Sequence, residues 1–133
     1  MTAVFLDTVG LLALWDVADQ WHAGAEAAFR ELRSRHVPLV TTTFVLLECG
    51  NAAARRPYRA EPEKLRKLLE SRHELIVPTA DDWRAAWESY SRGEIGGPGI
   101  VDCVSLAVMR RSSLTDVFSN DRHFTAAGLR TLF

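Results

Sequence analysis

Near its start the chain runs three apolar residues straight into a carboxylate, Val4-Phe5-Leu6-Asp7. Thr8-Val9-Gly10 and a renewed apolar segment, Leu11-Leu12-Ala13-Leu14, follow. That order constrains the fold more than any other stretch. The first run reads as a buried strand, and the segment after Gly10 has helical character. In a parallel α/β sheet, ligands bind in the crevice beyond the carboxyl ends of the strands. Asp7 lies where a buried strand would open into that crevice. Burying an unpaired carboxylate is costly, so Asp7 requires a partner, a metal or solvent.

Further along, short strand-like runs alternate with amphipathic segments. Residues 3–6 read as the first strand and 9–16 as a short helix. A second helix is expected from Asp19 to Arg35, with Trp21, Ala25, Ala28, Phe29 and Leu32 at helical spacing. Pro38 ends it, and Leu39-Val40-Thr41-Thr42 reads as a strand. Thr43 is the expected N-cap of a helix over 44–56. There Phe44, Leu47, Glu48 and Asn51 share one face, taken as the core side. Pro57 breaks that helix, and Pro62 opens another with Leu65, Leu68 and Leu69 as its apolar stripe. Residues 74–78 form the third strand. Thr79 caps a helix whose buried face is expected to be Trp83, Ala86, Trp87 and Tyr90. Gly93–Gly99 is a glycine-rich loop without the GxxxxGK[ST] spacing of a phosphate-binding loop. Helix returns over Ile100–Arg111, the fourth strand is Val117-Phe118, and Leu129–Phe133 is the expected fifth. Such alternation implies a three-layer α/β/α sandwich around a mostly parallel five-stranded sheet. Right-handed crossovers would put every carboxyl end on one rim.

The 133 residues, 47% apolar and 25% charged, suit a single domain over 1–133. A net charge of −1 gives no global pull towards nucleic acid, so any such contact must be local. The most basic stretch is 55–73, where Arg55, Arg56 and Arg59 lead from the Glu48 helix. Cys49 and Cys103 form no CxxC pair and read as buried free thiols of a reducing compartment. The apolar N-terminus lacks a basic segment and a small-residue cleavage site, and Asp7 interrupts it. No run approaches the ~20 apolar residues of a membrane span. The expected location is the cytoplasm.

Four acids stand out by position: Asp7 and Asp121 follow strands, Asp102 lies in the first turn of a helix, and Glu48 lies one turn into the helix after the second strand. In a doubly wound sheet all four can reach one rim. Like charges a few Å apart cannot all ionise, so such a ring calls for a cation. Oxygen ligands favour Mg²⁺ or Mn²⁺ over zinc. Thr8 and Ser119 are short polar groups beside two of the acids, able to hold a carboxylate rotamer or to cap. His123, two residues after Asp121, invites a general-acid role, although local packing is the ordinary use of such a residue.

Four stretches carry a resemblance. They are Phe5-Leu6-Asp7-Thr8 with Gly10-Leu11-Leu12, the Leu47-Glu48 helix, Val101–Ala107, and Val117-Phe118-Ser119-Asn120-Asp121-Arg122-His123-Phe124. Together they resemble the PIN-domain family, most closely the VapC-type toxins of type II toxin–antitoxin modules. The resemblance spans nearly the whole chain. It implies a five-stranded parallel sheet, Mg²⁺- or Mn²⁺-dependent endoribonuclease activity, a homodimer, and a VapB-type antitoxin covering the groove. It also implies that Asp7, Glu48, Asp102 and Asp121 form the catalytic, metal-binding quartet. Asp7, Asp102 and Asp121 would hold the metal, and Glu48 would act on a water. Arg55, Arg56, Arg59 and Arg122 are the candidates for RNA contact.

Other functions fit less well. A haloacid-dehalogenase-type phosphotransferase also starts with a strand ending in Asp, but it needs a second Asp where this chain has Val9. A response-regulator receiver needs an acidic pair before its phosphorylated Asp. A non-catalytic PIN-like module that binds RNA or protein is the alternative from another class, and the intact quartet argues against it.

Overall fold

The computed structural model describes residues Met1–Phe133. Its strands are β1 (Val4–Leu6), β2 (Leu39–Thr42), β3 (Leu75–Ile76), β4 (Asp116–Phe118) and β5 (Arg130–Thr131). The helices are α1 (Thr8–Trp15), α2 (His22–Ser34), α3 (Thr43–Ala53), α4 (Glu61–Ser71), α5 (Ala80–Arg92), α6 (Ile100–Arg111) and α7 (Arg122–Ala126). The sheet order is β3-β2-β1-β4-β5, and every pairing is parallel. The chain moves outward from β1 to β3, then returns to the other side of β1 for β4 and β5. With right-handed crossovers, that reversal puts helices on both faces. It also makes the β1/β4 junction the topological switch point, where a ligand crevice belongs.

The central strands are wholly enclosed. Phe5, Leu6, Val117 and Phe118 are buried and join Val45, Val104, Val108, Met109 and Phe124 in one core. Each such side chain contributes about 1.5–3 kcal/mol by leaving water. Register follows from this packing: Leu6 lies opposite Phe118, so Asp7 and Ser119 leave the sheet side by side. Helix α1 crosses β4 closely at Gly10, where a Cβ would lie 2.0 Å from the Phe118 carbonyl oxygen.

Four sequence expectations shift. The fifth strand is only Arg130–Thr131, not Leu129–Phe133. Helix α2 starts at His22 rather than Asp19, because the Asp16 and Asp19 carboxylates accept from the Ala18 and Trp21 amides and hold that segment in turns. Helix α3 is capped by Thr42, whose Oγ1 accepts from the Val45 amide, and ends at Ala53. Arg55 and Arg56 therefore sit in turns beyond it, before Pro57. The core face of α3 is Val45, Leu46, Cys49 and Ala53; Phe44 is half-buried, Asn51 is exposed, and Leu47 is 69% exposed. The Phe44–Leu47–Glu48 stripe thus faces the rim and solvent.

The α5 expectation fails in the same way. Ala86 is buried, but Trp83, Trp87 and Tyr90 keep nearly half of their surface exposed. They stack edge-to-face along the helix, and Phe44 extends the ladder. The helix packs on α6 through its narrow Ala86 side. Asp82 anchors the contact: it closes the Thr79 capping box and accepts a two-pronged bond from Arg111 at the far end of α6. The Arg111 guanidinium holds the Asp82 carboxyl below the usual carboxylate range. Trp83, Trp87 and Tyr90 are left as a half-exposed apolar face, with the half-buried Phe44 at its edge.

Three helices end alike. His36, His73 and Ser113 adopt φ of 54°, 55° and 55°, in the left-handed region that favours glycine. Each ending is closed by an amide one residue on: Val37 to Leu32, Glu74 to Leu69 and Leu114 to Met109. Replacing His36 or His73 with glycine should relieve the steric cost and raise stability by about 0.5–1 kcal/mol each. Urea unfolding midpoints will show it, and a lower midpoint would contradict it.

Candidate active site

The sheet positions the acids. Asp7 follows β1 as the N-cap of α1, its Oδ2 accepting from the Val9 amide at 3.1 Å. It is 1% exposed. Ser119 follows β4, and its hydroxyl donates to the same Oδ2 at 2.9 Å. Ser119 Oγ also accepts from the Asp121 amide at 3.0 Å, so one buried hydroxyl ties both strand ends together. Asp7 Oδ1 accepts no hydrogen bond. Asp121 caps α7, its Oδ1 accepting from the His123 amide at 2.9 Å. Asp102 enters from the first turn of α6 and reaches back to the Gly99 amide at 3.3 Å.

Asp102, Asp121 and His123 form the tightest group, with ligand atoms within 4.8 Å of one another. Asp7 and Glu48 stand outside that group but inside its field. Burial pushes the Asp7 carboxyl up to about 7, reinforced by the charges of Asp102 and Asp121. Burial likewise raises Asp102, followed by the charges of Asp121 and Glu48. No lysine or arginine pairs with any of the four acids; the one basic neighbour within ion-pair distance is His123, beside Asp121. This concentration of negative charge, made of hard oxygen donors, suits a divalent cation.

Other expected residues divide. Ser119 contacts Asp7 as described. Thr8 is buried, but its hydroxyl has no hydrogen-bond partner and holds no carboxylate. It lies near the Cys49 thiol, which burial pushes up to about 12. Cys49 and Cys103 are both free and buried. Arg55, Arg56, Arg59 and Arg122 are exposed and unpaired with any acid; Arg59 donates to the Ala54 carbonyl. The rest of the basic segment is largely neutralised within α4, where Lys64, Arg66 and Lys67 pair with Glu61, Glu63 and Glu70.

A family model described as the PIN domain matches residues 4–129. The chain belongs to the PIN-domain family. Among PIN proteins the chain is similar to a VapC-type toxin. The 23S rRNA-specific endonuclease VapC20 of Mycobacterium tuberculosis, found in two strains, is 30% identical over 130 residues, covering 94% of each chain. The crystal structure of Mycobacterium tuberculosis VapC20, described as a sarcin-ricin loop cleaving toxin, superposes with a TM-score of 0.78. That match has 28% identity over 95% of both chains. The five-stranded parallel sheet and its helices are thus those of a PIN protein. No helix is long and apolar enough to cross a membrane.

His123 is the residue whose part the sequence left open. Its Nε2 lies 3.0 Å from the Gly96 carbonyl oxygen, in the glycine-rich loop before α6. A carbonyl only accepts, so Nε2 carries the hydrogen. Its Nδ1 lies 2.9 Å from Asp121 Oδ1, yet Nδ1 is buried without an aligned hydrogen-bond partner.

Proposed function

We propose that this chain is a Mg²⁺- or Mn²⁺-dependent endoribonuclease and the toxin of a VapBC-type toxin–antitoxin pair in the cytoplasm. The observation that supports this is the grouping of Asp102 and Asp121 at the sheet's switch point, with Asp7 and Glu48 within their electrostatic reach and no lysine or arginine paired with any of the four. Asp7, Asp102 and Asp121 would hold the cation. Such a cation supplies Lewis acidity: it stabilises charge developing on the phosphate and acidifies water. The protein's own part is orientation and proton transfer. Ser119 and the Val9 amide fix Asp7 through Oδ2, leaving Oδ1 free for the site. Glu48, on the rim-facing side of α3, takes the proton of the attacking water. Water oxygen joins phosphorus, the bond to the 3′ oxygen breaks, and that oxygen is protonated from solvent. The products are a 5′-phosphate and a 3′-hydroxyl.

Arg55, Arg56, Arg59 and Arg122 are offered as phosphate contacts, since none is committed to an acid. Charge reversal at Arg55 and Arg56 should weaken RNA binding and flatten its salt dependence by roughly 0.7–0.9 in log–log slope per lost phosphate contact. Binding curves at several salt concentrations measure this, and an unchanged slope would remove both residues from the RNA path. A VapB-type antitoxin is the partner expected over the rim. A homodimer is expected too, and the exposed Trp83, Trp87 and Tyr90 face gives it apolar area to bury.

The relative's target makes a 23S rRNA sarcin–ricin loop hairpin the first RNA to try. Cleavage in Mg²⁺ or Mn²⁺ should vanish with a chelator and in Asp7→Asn. Equal cleavage by the variant would identify a contaminating nuclease and sink the enzyme assignment. Wild type that binds such RNAs tightly but cuts none would favour the non-catalytic module.

A further inference from the structure

We propose that His123 is a direct nitrogen ligand of the metal through Nδ1, held in the binding tautomer by the Gly96 carbonyl. This rests on the metal site proposed above and adds a donor of different chemistry to it.

The two ring nitrogens have divided roles. Nε2 donates to Gly96 at 3.0 Å, which consumes the hydrogen of the neutral imidazole and leaves a lone pair on Nδ1. That lone pair is turned inward: Nδ1 is buried, while the ring as a whole keeps 25% of its surface exposed. The 2.9 Å separation from Asp121 Oδ1 is short enough for a hydrogen bond, but the alignment is wrong for one. Two acceptors side by side without a shared proton repel each other unless a cation lies between them. The ligand atoms of Asp102, Asp121 and His123 fall within 4.8 Å of one another, as donors to one ion must. A histidine ligand usually donates its second N–H to a backbone carbonyl or a carboxylate, which fixes the ring and its tautomer. Gly96 fills that place here. Its φ of 88° is a conformation open to glycine, and it turns the loop so that this carbonyl faces the ring.

The same bond couples the ligand to the Gly93–Gly99 loop. Asp102 receives the Gly99 amide and His123 donates to Gly96, so both ends of the loop's second half are tied to metal-ligand side chains. An imidazole donor also shifts ion preference. Nitrogen ligands favour Mn²⁺ and later transition metals relative to Mg²⁺, which is content with carboxylates and water.

Pulsed electron paramagnetic resonance on the Mn²⁺-loaded full chain tests this without RNA. The wild type should show nuclear modulation from one coordinated nitrogen, and labelling with nitrogen-15 histidine should convert it to the nitrogen-15 pattern. That comparison needs no variant to fold. In His123→Gln, with a native circular dichroism spectrum, the modulation should vanish. Mn²⁺ affinity there should fall at least about tenfold, while Mg²⁺ affinity changes less. The chain's other histidines lie elsewhere: His22 engages the Ala13 carbonyl, and His36 and His73 are exposed at helix ends. Bound Mn²⁺ with no histidine modulation would overturn the ligand role and leave the metal site standing. Modulation that persists in His123→Gln would also overturn it. A wild type that binds no Mn²⁺ would overturn the metal site itself.

Discussion

Asp7→Asn will abolish cleavage and stabilise the metal-free protein at the same time. Loss of one donor carboxylate should cost at least about a hundredfold in rate, of the order seen when one preorganised electrostatic group is removed. The gain in stability follows from the buried charge. Asp7 is raised from 3.8 to about 7, chiefly by burial and then by Asp102. Below about pH 4 it is protonated in the folded and unfolded chain alike and costs nothing. As pH rises through that value the unfolded chain ionises while the native state keeps its proton. The native state therefore loses stability steadily until about pH 7 and no further above it. A shift of this size corresponds to about 4 kcal/mol. Asparagine cannot ionise, so the melting temperatures of variant and wild type should nearly coincide at about pH 4. By about pH 8 the variant should melt roughly 10 °C higher. Saturating Mn²⁺ should shrink that difference, because the cation binds more tightly to, and so stabilises more, the site that keeps its carboxylate. A variant less stable than wild type at every pH would mean that Asp7 is not held as an uncompensated charge.

Gly10→Ala will be the most destabilising single methyl addition in the chain. A Cβ there would stand 2.0 Å from the Phe118 carbonyl oxygen and 2.8 Å from its carbonyl carbon. Those are backbone atoms of the central strand β4, which no rotamer change can move. Relief requires α1 to lift off the sheet, and α1 carries Asp7 as its cap. The expected loss is about 3 kcal/mol or more, the upper end of overpacking. Metal affinity should fall with it, because the β1/β4 junction opens. Gly50→Ala is the control: it has open space and lies within α3, so it should be neutral or slightly stabilising. Denaturant unfolding of the two variants gives the comparison. Equal midpoints would show that α1 does not press on β4.

The positions of Asp7, Asp102 and Asp121 were legible because each sits at a punctuation mark in the sequence, a strand end or a helix start, whereas Glu48 lies in the middle of α3. Asp7 and Asp121 could be placed once β1 and β4 were recognised, and parallel topology put both on one rim. The faces of α3 and α5 were not legible. Phe44, Leu47, Glu48 and Asn51 share a stripe, but Val45, Leu46 and Cys49 form a second apolar stripe beside it, and periodicity does not say which one meets the sheet. Trp83, Trp87 and Tyr90 show the same limit. An apolar stripe records a capacity to be covered, and α6 covers only the Ala86 side. Arg55 and Arg56 fell outside α3 because the chain turns three residues before Pro57, where helical composition alone gave no stop. Ser119 could be marked as polar and adjacent, but its two hydrogen bonds, one donated to Asp7 and one accepted from the Asp121 amide, depend on the Leu6–Phe118 register. The division of labour between the His123 nitrogens depends on a loop carbonyl 27 residues away, which no local pattern encodes.

Calorimetric titration of Mn²⁺ into the metal-free protein at about pH 6.5, in buffers of different ionisation enthalpy, tests the shared cation most directly. Asp7 is still largely protonated there, since its carboxyl is pushed up to about 7, so binding must expel a proton. Wild type should bind the ion and release protons, whereas Asp7→Asn should bind at least about tenfold more weakly and release fewer. Equal affinity and equal proton release in the two proteins would contradict a cation held at Asp7.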